Sequence, residues 1–163
     1  MREGLPASCA RSSARATLTC DAPASICPIV TPIAERAIAA AGLDGRVGTA
    51  SGDFFTDSLP RADVVTIGNI LHDWNLDQKL HLIRSAYAAL PEGGAFIVIE
   101  DIIDDARREN ARGLLMSLNM LIQTGDGFNF TVSDFAGWCR KVGFRQIEML
   151  PLSGSASAGI AYK

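Results

Sequence analysis

His72 is the side chain in this sequence best suited to chemistry. It stands between Asn69 and Asp73 after one apolar run, and Glu100 and Asp101 close the next. An imidazole can take a proton near neutral pH, and a carboxylate on its other ring nitrogen fixes the tautomer and stabilises the imidazolium as it forms. A histidine and glutamate so paired suit the removal of a proton from a bound acceptor, in a reaction that otherwise needs alignment. On its residues alone His72 reads first as a loop histidine ahead of a capped helix. His81, inside that helix, reads as structural. Two more acidic residues stand at predicted strand ends. Asp21 could accept both hydrogen bonds of a ribose diol, or equally form a turn before Ala22-Pro23. Asp53 could accept from an exocyclic amine while Phe54 packs on a flat heterocycle; alternatively it marks an acidic turn, with Phe54 and Phe55 in the core.

The stretch from Ala62 to Glu100 must position the histidine. Val64–Ile67 and Phe96–Ile99 are short apolar runs that fit strands buried on both faces. Between them Leu76, Leu80, Ile83, Tyr87 and Leu90 recur at helical spacing, Asn75 and Gln78 make a capping box, and Pro91 with Gly93-Gly94 ends the helix. Strand, helix and strand form a right-handed βαβ unit with parallel strands. In such sheets ligands bind beyond the carboxyl ends of the strands, which brings the imidazole and Glu100 to one rim.

The rest of the chain reads as more α/β structure. Ala16–Cys20 and Arg46–Ala50 are predicted strands, with a helical face through Ile29, Ile33, Ala37, Ile38 and Ala41 between them, stopped by Gly42. Leu114, Leu115, Leu118, Met120, Leu121 and Ile122 predict a helix buried on more than one side, or the Met-lined wall of a pocket. After a loop over 125–130, Thr131 or Ser133 caps a helix whose Phe135, Trp138, Cys139 and Val142 face inward. Gln146–Leu150 and Ala156–Ala161 close the chain as a hairpin. A length of 163 residues with 48% apolar and 20% charged residues allows one soluble domain with a substantial core, and no linker divides it. A net charge of −3 with dispersed Arg and Lys argues against nucleic acid as a partner and favours a small molecule. No run approaches the ~20 apolar residues of a membrane span, and the spacing of Cys9, Cys20, Cys27 and Cys139 predicts reduced cytoplasmic thiols and no metal site.

These segments together resemble the C-terminal catalytic domain of S-adenosylmethionine-dependent O-methyltransferases of the plant caffeate and bacterial polyketide type. LTCDAPA resembles the acidic second-strand motif, SGDFF the adenine-contact motif and NILHDWNLDQ the segment with the catalytic histidine. PEGGAFIVIED resembles the fifth strand, LNMLIQTGDGFNFT the substrate-pocket helix and loop, and FAGWCRKVGF the helix before the last hairpin. The resemblance implies a Rossmann-like class I methyltransferase sheet, mostly parallel, with a C-terminal antiparallel hairpin. It implies S-adenosylmethionine as cofactor, held by Asp21 at the ribose and by Asp53 and Phe54 at the adenine. His72 is then the general base, flanked by Glu100. The acceptor is a small hydroxyl compound, aromatic or polyketide-like, with Asn69, Asp73, Met116, Asn119, Met120 and Asn129 on its side. Two departures shape the expectation. The family's first strand and most of its glycine-rich loop have no counterpart, with Gly4-Leu5-Pro6 resembling only the loop's end, and the dimerisation domain that makes the family homodimeric is absent. The chain therefore reads as N-terminally truncated, with two sheet edges left open, and an inactive remnant serving as a binding module is the alternative. Asn129 falls where plant members carry a second carboxylate beside the histidine. A nucleotide-dependent dehydrogenase lacks support, since neither G-x-G-x-x-G nor Tyr-x-x-x-Lys occurs.

Overall fold

The computed structural model describes residues 22–26, as backbone, and residues 31–163. Asp21, the predicted strand Ala16–Cys20 and three of the four cysteines lie outside the described residues. Contacts divide the chain after Pro60 into two compact units.

In the first unit, β1 (Ala22–Ile26) pairs in parallel with β2 (Val47–Ser51), from Ala22 opposite Val47 to Ile26 opposite Ser51. Helix α1 (Thr31–Ala40) connects them. Ala22-Pro23 thus lies in a strand that begins where the predicted strand Ala16–Cys20 was expected to have ended. A two-stranded sheet consists only of edges, where a residue without an N–H is tolerated. The predicted apolar face of α1 is not a core face: none of its residues is buried, and Ile33 is 58% exposed. Polar contacts hold the helix instead, with Thr49 donating to Glu35 at 3.1 Å and Thr31 against Ser51 at 2.7 Å. Gly42 ends it as expected at φ +65°, with the Leu43 N–H returning to the Ile38 carbonyl.

The second unit is a four-stranded sheet carrying three helices. Its strands β3 (Val64–Gly68), β4 (Ala95–Glu100), β5 (Gln146–Pro151) and β6 (Ser157–Tyr162) run in the order β3-β4-β6-β5. β3 and β4 are parallel, and α2 (Leu76–Ala89) joins them through the capping box of Asn75 and Gln78. β6 is antiparallel to both its neighbours, so the sheet is partly parallel and partly antiparallel, with the expected antiparallel hairpin at the C-terminus. The expected burial of both faces of Val64–Ile67 does not occur. β3 ends this sheet and alternates half-buried with exposed, leaving Val64 48% exposed, so only one of its two faces is packed.

The core of this unit is aromatic. Phe96 of β4 stacks on Phe144, and Phe130 on Phe135 of α4 (Val132–Val142), all four buried. Of the two expectations for α3 (Ala111–Thr124), enclosure on more than one side is not met. The helix buries only Gly113 and Met120, while Leu115, Leu118, Leu121 and Ile122 are 52–75% exposed, so its apolar excess lies on the surface. Gly113 permits a close approach, since a Cβ there would stand 2.7 Å from the Asp101 carbonyl oxygen.

Candidate active site

The histidine turn follows from the end of β3. Asn69 adopts φ +51°, a left-handed conformation that Asn tolerates better than most residues, and the chain then winds into a single 3-10 turn, Leu71–Asp73. That turn aims successive N–H groups at one point. Those of Ile70, Leu71 and His72 all donate to Glu100 Oε1, at 3.2, 2.6 and 3.3 Å, so the carboxylate at the end of β4 anchors the turn at the end of β3. Glu100 is 1% exposed and His72 5%.

The imidazole is flanked on both sides. Nδ1 lies 3.3 Å from Glu100 Oε2, and Nε2 lies 3.3 Å from Asp73 Oδ1. Nδ1 and Oε2 attract as charges without hydrogen-bond alignment, since neither has a hydrogen-bond partner. Burial alone pulls the imidazole's pKa down, but the two carboxylates beside the ring, Asp73 and Glu100, outweigh it and push it up to about 9. This corrects the expectation of a neutral ring near pH 7: the cluster favours imidazolium.

Lys79 was not singled out from the sequence, although it occupies the i+3 slot after Leu76 on the apolar face of α2 and is 0% exposed. Burial pulls its pKa down to about 8, against the attraction of Glu100, Asp126 and Asp73. The two groups act oppositely on stability. His72 binds its proton more tightly folded than unfolded, so its stabilisation, ~3 kcal/mol, is complete below pH 6.5 and lost as pH rises to about 9. Lys79 binds its proton less tightly folded, so its destabilisation is complete below about 8 and relieved as pH rises toward 10.5. Urea unfolding across this range is expected to show stability falling from pH 6.5 to 8 and flattening above it, because beyond 9 the buried Cys139 thiol, which ionises more readily in the unfolded chain, offsets the relief at Lys79. A monotonic rise from pH 6.5 to 8 would contradict the flanked imidazolium.

The other predicted residues fall in several places. Asn129 is 1% exposed; its Nδ2 donates to the Asp101 carbonyl at 3.0 Å, its N–H donates to Ser117 Oγ at 3.1 Å, and its Oδ1 is buried without a partner. Asn69 is exposed, with its N–H on the Ile99 carbonyl. On α3, Met120 is buried, while Asn119 donates to Met116 Sδ at 3.7 Å and accepts from Gln123. Asp101 is engaged by Arg112 Nε at 3.1 Å and Ser155 Oγ at 2.5 Å, a structural use that removes it from the rim chemistry. An open recess of about 330 Å³ lies beside α3, walled by Leu114, Ser117, Leu118, Leu121 and, from the following loop, Gly127 and Phe128. His72, Met116, Asn119, Met120 and Asn129 are not among its lining residues. In the first unit, Asp53 shapes its own turn by accepting from the Phe55 N–H at 2.9 Å through Oδ1, and Phe54 and Phe55 are half-buried, edge to face.

Among the described residues no group of His, Cys, Asp and Glu could hold a metal ion, and no helix is long and apolar enough to cross a membrane. Cys139 is buried, and burial pushes its thiol up to about 12, which makes it unreactive.

A histidine and a glutamate at the carboxyl ends of adjacent parallel strands are an arrangement whose family can be tested by comparison. The O-methyltransferase domain profile matches residues 22–145, and the chain belongs to that family. It is 37% identical over 134 residues to the 3-hydroxy-5-methyl-1-naphthoate 3-O-methyltransferase of Streptomyces sahachiroi, covering 82% of this chain and 39% of that protein. It is 38% identical over 136 residues to the tetracenomycin polyketide synthesis 8-O-methyl transferase TcmO of Streptomyces glaucescens, covering 83% of this chain and 40% of that protein. Human N-acetylserotonin methyltransferase, solved in complex with SAM, superimposes with a TM-score of 0.77 at 32% identity, over 86% of this chain and 40% of the human chain. The chain thus spans about two fifths of the length of these relatives.

Proposed function

We propose that this chain is the catalytic part of an O-methyltransferase that moves a methyl group from S-adenosylmethionine to a phenolic or enolic hydroxyl of a small aromatic or polyketide-like molecule. The observation that carries the reading is His72, held at the strand ends with a carboxylate 3.3 Å from each ring nitrogen. Its pKa, about 9, lies close to the ~10 of a phenol, so proton transfer between the two is nearly balanced. An aliphatic alcohol is far too weak an acid for such a base. Glu100, fully buried and fixed by the three turn N–H groups, stays beside Nδ1, which leaves Nε2 to meet the acceptor's hydroxyl in place of Asp73, the more exposed of the two carboxylates. The relatives named for a hydroxynaphthoate and a tetracenomycin polyketide support this acceptor class.

The described residues fit the cofactor at one end. Asp53 takes an N–H only on Oδ1, which leaves Oδ2 to accept from the adenine amine, and Phe54 offers a half-buried ring. Asp21 is the proposed ribose ligand. When bound, the cofactor supplies a methyl group already activated on sulfonium, so the chain need only align the acceptor and receive its proton.

A base that is mostly protonated at neutral pH gives a distinctive rate profile. The acid limb of kcat/KM for transfer to 2-naphthol is expected near pH 9 rather than 6.5. A plateau reached by pH 7.5 would count against His72 as the base in this flanked state. Absence of any transfer at any pH would sink the methyltransferase reading itself.

A further inference from the structure

Lys79 lies in the contact between the histidine turn and the loop over 125–130. Its Nζ donates to the Trp74 carbonyl, directly after His72-Asp73, and sits 3.5 Å from the centroid of the Phe128 ring. No carboxylate among the described residues lies within 4 Å of it; Glu100 on β4, Asp73 on the turn and Asp126 on the loop act from further away. The two segments also meet as backbone. A Cβ at Gly127 would stand 2.6 Å from the Asp73 carbonyl oxygen, and Asn75 Nδ2 donates to Asp126 at 2.8 Å. Phe128 is part of the recess wall, and its other side meets Trp138 edge-on.

A lysine on an amphipathic helix ordinarily carries its ammonium to water. This one is fully enclosed with one carbonyl and one aromatic face, an arrangement that disfavours its charge, and a methionine of similar length would fill the space at lower cost. What the ammonium adds is direction. It attracts the carbonyl of the turn on one side and the ring of the wall on the other.

We propose that Lys79 is a positioning residue for the acceptor side of the site: its buried ammonium fastens the turn that carries His72 to Phe128 in the wall of the recess. Only the identity of the acceptor rests on the methyltransferase reading; the clamp itself does not.

The chain has three lysines and two histidines, so side-chain NMR resolves each one. In the full chain labelled at lysine Cε, one lysine is expected to titrate near 8, with its Cε protons displaced upfield by the Phe128 ring, and Phe128→Leu should abolish the displacement. Lys79→Met is expected to keep or raise the thermal midpoint and yet move the His72 imidazole signals, assigned with His81→Gln. With 2-naphthol as acceptor at pH 7, where Lys79 still carries its proton, it should lower kcat/KM ~10-fold, mainly through KM, since a displaced wall misplaces the acceptor, and the loss should shrink as pH rises past about 8. Combined with Phe128→Leu the losses should be clearly less than additive, because both variants open the same contact. A stable Lys79→Met variant with unmoved His72 signals and unchanged KM overturns the clamp. If Lys79→Met does not fold, the wild-type lysine spectrum decides: Lys163 keeps a ring shift of its own from Tyr87, and the absence of any other lysine that titrates near 8 with a ring shift removed by Phe128→Leu overturns the clamp equally. Resonance results as expected without any methyl transfer would leave the clamp standing and remove the methyltransferase reading alone.

Discussion

Replacing His72 by alanine is expected to lower methyl transfer to a phenolic acceptor by ~10²–10⁴, while S-adenosylmethionine affinity by calorimetry stays essentially as in the wild type. The separation follows from what the imidazole does. It receives the acceptor's proton as the methyl group arrives, whereas the residues proposed for the adenosyl end are Asp21, Asp53 and Phe54. The variant also leaves Glu100 and Asp73 without the cation between them, so its stability should be lower below pH 9 and approach the wild type above it. Measuring both properties keeps a folding defect from passing as a catalytic one. His81→Ala should do little, because His81 is exposed on the outer face of α2. If His81→Ala removed turnover while His72→Ala kept it, the base would have to be sought elsewhere.

Sequence patterns reached the elements whose period is strong and the contacts that are local. Asn75 and Gln78 cap α2, Thr131 caps α4 and Gly42 ends α1, since each rests on hydrogen bonds within a few residues. The βαβ unit was legible from two short unbroken apolar runs on either side of a helical period, and the closing hairpin from two strand-like runs parted by a short loop. Packing was not. An apolar run does not say which strands flank it, so β3 was expected to be covered on both faces and instead ends its sheet. A helix rich in leucine does not say what lies against it, so α3 was expected to be enclosed and shows Leu115 and Ile122 to solvent. His72 and Glu100 could be paired by the family resemblance and by strand-end logic. The charge state of the ring could not, because it depends on Asp73 folding back to Nε2 and on burial, neither of which a motif encodes. Lys79 was passed over for a similar reason. A lysine in the apolar stripe of a helix looks like an interruption of the pattern until the Phe128 loop is seen to close over it.

Changing Glu100 to glutamine should lower the pKa of His72 well below 9, and the sign of that shift is the sharpest test of the site. Burial is the largest single influence on the ring and acts downward; only the carboxylates of Asp73 and Glu100 beside it reverse it. The amide removes one of the two charges, so the midpoint moves toward 6.5, and Asp73→Asn with Glu100→Gln, leaving burial alone, should bring it below 6.5. The acid limb of the rate should follow the midpoint downward while the plateau rate falls, since a weaker base takes the proton less readily from a phenol. Structure should be less affected by glutamine than by alanine. Gln can still accept from the N–H groups of Ile70, Leu71 and His72, as neutral hydrogen bonds in place of charge-assisted ones, whereas Glu100→Ala strands these three donors, two of them buried, and the imidazolium together, at a cost of ~3–5 kcal/mol. A Glu100→Gln variant whose His72 still titrates at about 9 would show that this carboxylate anchors the turn without tuning the ring, and the raised basicity would then belong to Asp73.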